Sequence, residues 1–250
     1  MDDIIDYVSG KRYITFSNAL TRASHGLTLG EKRLVAIAAS TLDSKAPLKE
    51  NYVYITKINA VEYAETFGVS AVTAYEQLKL ASRNLYARSV TFYEPAHKRN
   101  GMPIKPTLVK MRWIGEAHYK DGEGWIELHW WPAIMKHLVG VKRQFTSYQL
   151  EQAGALRSNY SWKLLELLMR FKKNGWAQYT IEDFCVSMEV TEKTQANFAK
   201  IRTKVIEPAI KELTDKDGWE IKWEPVRQGK RKVTGVRFEF KRNQQGSLDL

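Results

Sequence analysis

Near the C-terminal end, side chains suited to reading nucleic acid recur at helical spacing: Lys193, Asn197, Lys200, Lys204 and Lys211. At about 100° per residue they fall opposite Phe198, Ile201, Val205 and Ala209. One amphipathic helix from about Glu192 to Leu213 would carry both sets. An asparagine can pair bidentately with adenine, and a lysine can meet guanine or phosphate. A merely solvated helix face has the same residue types, so composition alone does not decide between the two readings. Arg202 lies toward the apolar edge, where it either snorkels to a phosphate or packs. Pro208 lacks an amide donor and crowds residue 204, which predicts a kink.

A second basic feature is Arg227-Gln228-Gly229-Lys230-Arg231-Lys232. It lies between two alternating apolar series, Trp219/Ile221/Trp223 and Val236/Phe238/Phe240, so it reads as a hairpin tip turning at its glycine. Four cations on phosphates would add about 3 to 4 to the slope of log affinity against log salt. The competing reading is a solubilising tip, disfavoured because like charges so close repel without a partner.

Enzyme signatures are missing. There is no G-x-x-x-x-G-K-[ST] phosphate loop and no G-x-S-x-G elbow. His25, His97, His118, His129 and His137 form no H-x-H or H-E-x-x-H cluster, as a metal-dependent nicking site would need. The expectation is a binding protein, not an enzyme, with no metal and no cofactor.

The elements that must position these residues follow one plan twice. Ile58 to Phe67 suits a short helix stopped by Gly68. Ser70 can cap a longer helix over Ala71–Arg88, and strand-like Val90–Tyr93 follows. In the second copy Thr180 and Asp183 cap Ile181–Met188, Glu189–Thr191 turns, and the lysine-bearing helix and basic hairpin come next. Helix, turn, helix and hairpin make the winged-helix plan, whose second helix enters the major groove. The fold expected is α+β, two winged-helix domains in pseudo-repeat, residues 1–141 and 142–250, with a boundary near Gly140–Arg143. Around them the pattern predicts a helix over Leu20–Leu42 and a strand over Tyr52–Ile55. It also predicts a hairpin of Lys110–Trp113 with Trp125–Trp130, a mobile loop at His97–Pro106 and an apolar helix over Trp162–Phe171.

Composition agrees. The 250 residues carry a net charge of +11, which favours polyanionic partners. The excess is uneven: residues 142–250 hold 21 Lys/Arg against 14 Asp/Glu, whereas 1–141 hold 18 against 14. Hydrophobic residues at 44% allow packed cores. No apolar run of membrane-spanning length occurs. The single cysteine, Cys185, excludes an internal disulfide and suits a reducing cytoplasm.

Several segments, in order, resemble the Rep initiators of iteron-containing bacterial plasmids. Ser17–Thr21 followed by Leu29–Arg33 is similar to the family's opening. Tyr63–Gly68 resembles its first-domain helix and turn, Gln144–Leu150 its inter-domain junction, Tyr160–Glu166 the helix opening its second domain, and Val205–Leu213 the end of its recognition helix. The resemblance implies a bacterial cytoplasmic protein that binds double-stranded DNA at direct repeats (iterons) of a plasmid origin. It also implies opening of an adjacent A·T-rich segment and contact with the host replication initiator and helicase. A homodimer in equilibrium with monomer would repress the protein's own gene, and no membrane partner is implied. By position it carries DNA contact onto Lys200, Arg202 and Lys204, with Thr203 standing where some members have another arginine. Lys79 and Arg83 on the first long helix suit backbone contact or a dimer interface. A winged-helix transcriptional repressor without initiator activity is the alternative.

Overall fold

The computed structural model describes residues 11–93, 98–99, 102–103, 107–229 and 232–242. The chain begins with β1 (Tyr13–Ser17), α1 (Asn18–Arg22) and α2 (Leu29–Ser40), then β2 (Ile55–Asn59), α3 (Ala60–Phe67) and α4 (Ala71–Ala87). Next come β3 (Ser89–Tyr93), β4 (Lys98–Arg99), β5 (Met102–Pro103), β6 (Leu108–Arg112), β7 (Ile114–Tyr119), β8 (Trp125–Trp130) and α5 (Pro132–Met135). A bridging stretch holds β9 (Phe145–Gln149), α6 (Leu150–Gly154) and α7 (Asn159–Met169). The remainder is β10 (Trp176–Thr180), α8 (Ile181–Ser187), α9 (Glu192–Gln195), α10 (Phe198–Ile201), a π-helical stretch (Arg202–Ile206), α11 (Glu207–Asp217), β11 (Trp219–Gln228) and β12 (Lys232–Arg242).

The pseudo-repeat is visible in the sheets. Their strand orders are β2-β8-β7 and β10-β12-β11, all antiparallel, so in each the first strand pairs with the last and the last with the middle one. Each first strand leads into a short helix, α3 or α8, followed by a longer one. The local reasons are those of the sequence. Gly68 ends α3 in the left-handed region, at φ 62°, where a side chain would be strained. The Ser70 hydroxyl caps α4 by accepting from Thr73 N–H, and Thr180 caps α8 by accepting from Asp183 N–H. Gly235 is needed where β12 passes β10, because a Cβ there would sit 2.5 Å from the Tyr179 carbonyl oxygen.

Three local expectations are corrected. The helix over Leu20–Leu42 is two helices. Thr28 and Glu31 form a reciprocal capping box that starts α2 afresh, and Gly26 turns the chain at φ 59°. The strand at Tyr52–Ile55 instead begins at Ile55, because Thr56 and Ile58 are the residues that alternate into the core, whereas Tyr52 and Val53 are exposed. The hairpin around Lys120–Gly124 is β7 with β8; Lys110–Arg112 belongs to β6, which pairs with β3. Of the loop expected at His97–Pro106, β4 and β5 pair with each other and the rest lies outside the described residues.

The bridging stretch is where the two halves meet. β9 pairs antiparallel with β1 over Tyr13–Ser17, so a boundary at 141/142 separates two strands of one sheet. α7 is buried along its length, with Trp162, Leu164, Leu165, Leu167 and Leu168 inside, and it packs against α11. A helix buried on all sides is an interior helix. Two of its buried side chains join a polar cluster: Glu166 accepts from Lys32 Nζ at 2.8 Å and Tyr148 Oη at 2.7 Å, and Trp162 Nε1 donates to Tyr148 at 3.1 Å. Burial of this kind is tolerated only when the partners are in place. Burial lowers the Lys32 ammonium to about 8 even with Glu166 beside it. Among the described residues no helix is long and apolar enough to cross a membrane.

Candidate nucleic-acid interface

The second helix–turn–helix runs from α8 through the turn at Met188–Val190 to α10 and α11. Its inner face is the one the periodicity indicates: Ile201, Val205, Ala209 and Leu213 are buried, and Phe198 leans on Trp223 with ring centroids 6.3 Å apart. Its beginning differs. The long helix starts at Phe198, not Glu192, because Asn197 is extended (φ −144°, ψ 115°) and its side chain accepts from Ala199 N–H. Asn197 therefore serves as a helix cap, and Lys193 stands on the separate single turn α9. The row predicted on one continuous face is broken into parts.

Pro208 produces a different distortion from the expected kink. Five residues, Arg202–Ile206, wind as a π-helix, with Glu207 N–H reaching the Arg202 carbonyl. A proline at 208 cannot donate to residue 204, and the wider turn before it absorbs that loss. The wider turn places Arg202, Thr203 and Lys204 in succession on the exposed side, beside exposed Lys200, while Val205 and Ile206 are both buried. The Thr203 hydroxyl donates to the Ala199 carbonyl at 2.9 Å. Arg202 has Glu207 at 3.5 Å, but both side chains are about half exposed, so water and salt weaken the pair. Lys211 is tied to Asp215 at 2.8 Å, one helical turn on. Lys193, Lys200 and Lys204 have no ion-pair partner among the described residues.

The hairpin β11–β12 stands beside this helix. Arg227 and Lys232 are exposed near its end, with Gln228 opposite Lys232, a register shift between Val226 and Arg227, and Gly229 turning at φ 67°. Lys230 and Arg231 lie outside the described residues.

In the first unit, Arg83 is exposed on α4, but Lys79 is committed within its own domain. Its Nζ lies 2.6 Å from Asp121 Oδ1 and 5.5 Å from the centroid of the Tyr119 ring, tying α4 to the β7–β8 turn. Phosphate contact from Lys79 would have to break that pair.

Sequence reasoning missed what aims the second unit. Glu189, in the helix–turn–helix turn, is left-handed at φ 52°, a region that disfavours a side chain. Its carboxylate accepts from the backbone N–H groups of His25 and Gly26 and sits 3.1 Å from Lys163 Nζ on α7. Burial alone would raise the Glu189 carboxyl, but Lys163, His25 and the two N–H groups pull it below its ordinary value. Arg22 to Asp183 at 3.1 Å joins the same halves, and Arg157 N–H to Glu212 at 2.7 Å ties the bridging stretch to α11. The residues are scattered over the sequence, and only Glu189's place in a turn hinted at them.

Two winged-helix units, the second presenting a basic helix and hairpin, define a DNA-binding protein of the double winged-helix class. Residues 13–169 match the family described as "Initiator Replication protein, WH1", and residues 180–240 match "Initiator Rep protein, WH2". The chain belongs to this Rep-type replication initiator family. The first match runs past 141, in keeping with the β1–β9 pairing. The PI protein of Escherichia coli is 25% identical over 261 residues, covering 93% of this chain and 84% of that one. A 27.6 kDa protein of Escherichia coli is 26% identical over 207 residues, covering 80% of this chain and 84% of that one. The crystal structure of Pi initiator protein in complex with iteron DNA superposes with a TM-score of 0.76 at 22% identity, over 95% of this chain and all of that one.

Proposed function

We propose that this protein starts plasmid replication by binding direct repeats at the origin as duplex DNA. The α10–α11 helix would lie in the major groove and the β11–β12 tip on the backbone. The observation that carries the reading is the exposed succession Lys200, Arg202, Thr203 and Lys204, on the second helix of a helix–turn–helix, in a chain of the initiator family. The Pi initiator's complex with iteron DNA supports the choice of target. Phosphate contacts position such a protein and base-edge contacts specify the site. Lys200 and Lys204 are assigned base or phosphate contact, Arg202 a contact freed from Glu207, and Lys193, Arg227, Lys230, Arg231 and Lys232 phosphate contact. Asn197 and Thr203 act through the helix they fasten. Several bound copies would offset the few kcal/mol per step, roughly, that unstacking an A·T-rich neighbour costs. Recruitment of the host initiator and helicase, and autorepression by a dimer in exchange with monomer, complete the proposal. Supercoiled plasmid carrying the DNA around the gene, probed with a single-strand-specific reagent, tests it. Initiation predicts protein-dependent opening beside the protected repeats, whereas a pure repressor protects its operator and opens nothing.

A further inference from the structure

One face of the first domain's β7–β8 hairpin carries a cluster of histidines and carboxylates that the proposed DNA contacts do not include. Glu116 and His118 alternate along β7, and Glu127 and His129 along β8. The register sets Glu116 opposite His129 and His118 opposite Glu127, so all four side chains stand on one face of the hairpin. His118 Nε2 lies 2.8 Å from Glu116 Oε2, and His129 Nε2 lies 2.9 Å from Glu127 Oε1. Across the strands His118 Nδ1 is 3.6 Å from Glu127 and His129 Nδ1 is 3.8 Å from Glu116. The two imidazole centroids are 4.4 Å apart. One ligand atom from each of Glu116, His118 and His129 falls within 4.8 Å of the others.

We infer that Glu116, His118 and His129 form a binding site for a divalent transition-metal ion, with Zn2+ as the best fit. Two imidazole nitrogens are borderline donors, and with one carboxylate oxygen they favour zinc over magnesium or calcium. Metal–ligand bonds of about 2.0–2.2 Å put tetrahedral ligands roughly 3.3–3.5 Å apart, a distance reached here by small side-chain rotations. The fourth position falls to Glu127, or to water while Glu127 stays hydrogen-bonded to an imidazole as an orienting partner. The paired strands hold the donors in place before any ion arrives, which limits the ordering cost of binding. The ion would staple β7 to β8, and with them the turn that holds Lys79 through Asp121. The sequence shows no clustered histidines because the two rings meet only through strand register.

The test uses the full chain, stripped with a chelator and titrated with ZnCl2 by calorimetry, and with Co2+ by visible absorption. One Zn2+ per chain is expected, with a tetrahedral-type cobalt spectrum and no response to Mg2+. His118→Gln, an exposed change that leaves the core intact, should weaken Zn2+ binding more than about ten-fold, and Glu116→Gln should weaken it as well. Zn2+ should also raise the unfolding temperature of the unaltered protein but not of His118→Gln. Absence of stoichiometric binding, or binding by both variants equal to that of the parent, would overturn the inference.

Discussion

The Glu189 carboxylate, on the turn of the second helix–turn–helix, accepts the backbone N–H of His25 in the first domain. A residue strained into the left-handed region thus fastens the second winged-helix unit to the other half of the chain. Lys163, nearly buried on α7 between them, depends on that carboxylate for charge compensation.

Removing the carboxylate should therefore cost more than a surface pair would. Glu189→Ala leaves Lys163 buried without a counterion and keeps the unfavourable backbone, and a loss of about 3 kcal/mol is expected. Glu189→Gly relieves the backbone and should recover about 1 kcal/mol of it. Denaturant midpoints of the two variants check both values; an unaltered midpoint for Glu189→Ala would remove the fastening role.

Acid should loosen the fold from about pH 6.5 downward. Burial, then Lys163, holds His25 well below its ordinary 6.5, and burial, then Lys136, holds His137 at about 4. Both are bases with lowered folded values, so below pH 6.5 the unfolded chain takes up protons that the folded chain refuses. Stability is unaffected by them above pH 6.5. Below it, stability falls by up to about 1.4 kcal/mol per pH unit for each histidine, for His137 until about pH 4. Glu189, lowered in the fold, adds its own loss only as pH drops below its ordinary 4.5. Urea titrations from pH 7 to pH 5 should show this slope, and His25→Gln should reduce it by about half.

Pro208→Ala should separate binding from stability. The alanine restores an amide donor to the Lys204 carbonyl and favours a regular α-turn over Arg202–Ile206. Stability is expected to hold or rise. Affinity for the specific site should fall by about 1 kcal/mol or more, because Arg202, Thr203 and Lys204 would no longer share one exposed side. Equal affinity for both proteins would show that the π turn plays no part in recognition.

The basic tip should act without regard to sequence. Lys230→Ala is expected to weaken all duplexes alike and to reduce the salt slope by about 1. A change confined to the specific site would instead make Lys230 a base reader.

Much of the fold was legible because its signals are local. Gly68, Ser70 and Thr180 mark helix ends through their own backbone and hydroxyl chemistry, and the alternation on either side of Gly229 marks the second wing, whereas around Lys120–Gly124 the turn was readable but its first strand was misplaced. The apolar face of the recognition helix was likewise readable from spacing. What failed was continuity and distance. Nothing in the run Glu192–Leu213 announced that Asn197 would cap a new helix, since an asparagine on a helix face looks the same. The pairing of β9 with β1 joins segments more than a hundred residues apart, which no local signal announces. The Lys79–Asp121 pair likewise joins residues far apart in the sequence, so spacing could not announce it.

Quantitative footprinting on the DNA around the gene, with the parent protein, Lys200→Ala and Lys204→Ala, tests the central claim most directly. Regularly spaced direct repeats should be protected, and each variant should lose about 1–3 kcal/mol at those repeats with nonspecific binding little changed. Protection of a single operator without repeats, or undiminished protection by both variants, would contradict it.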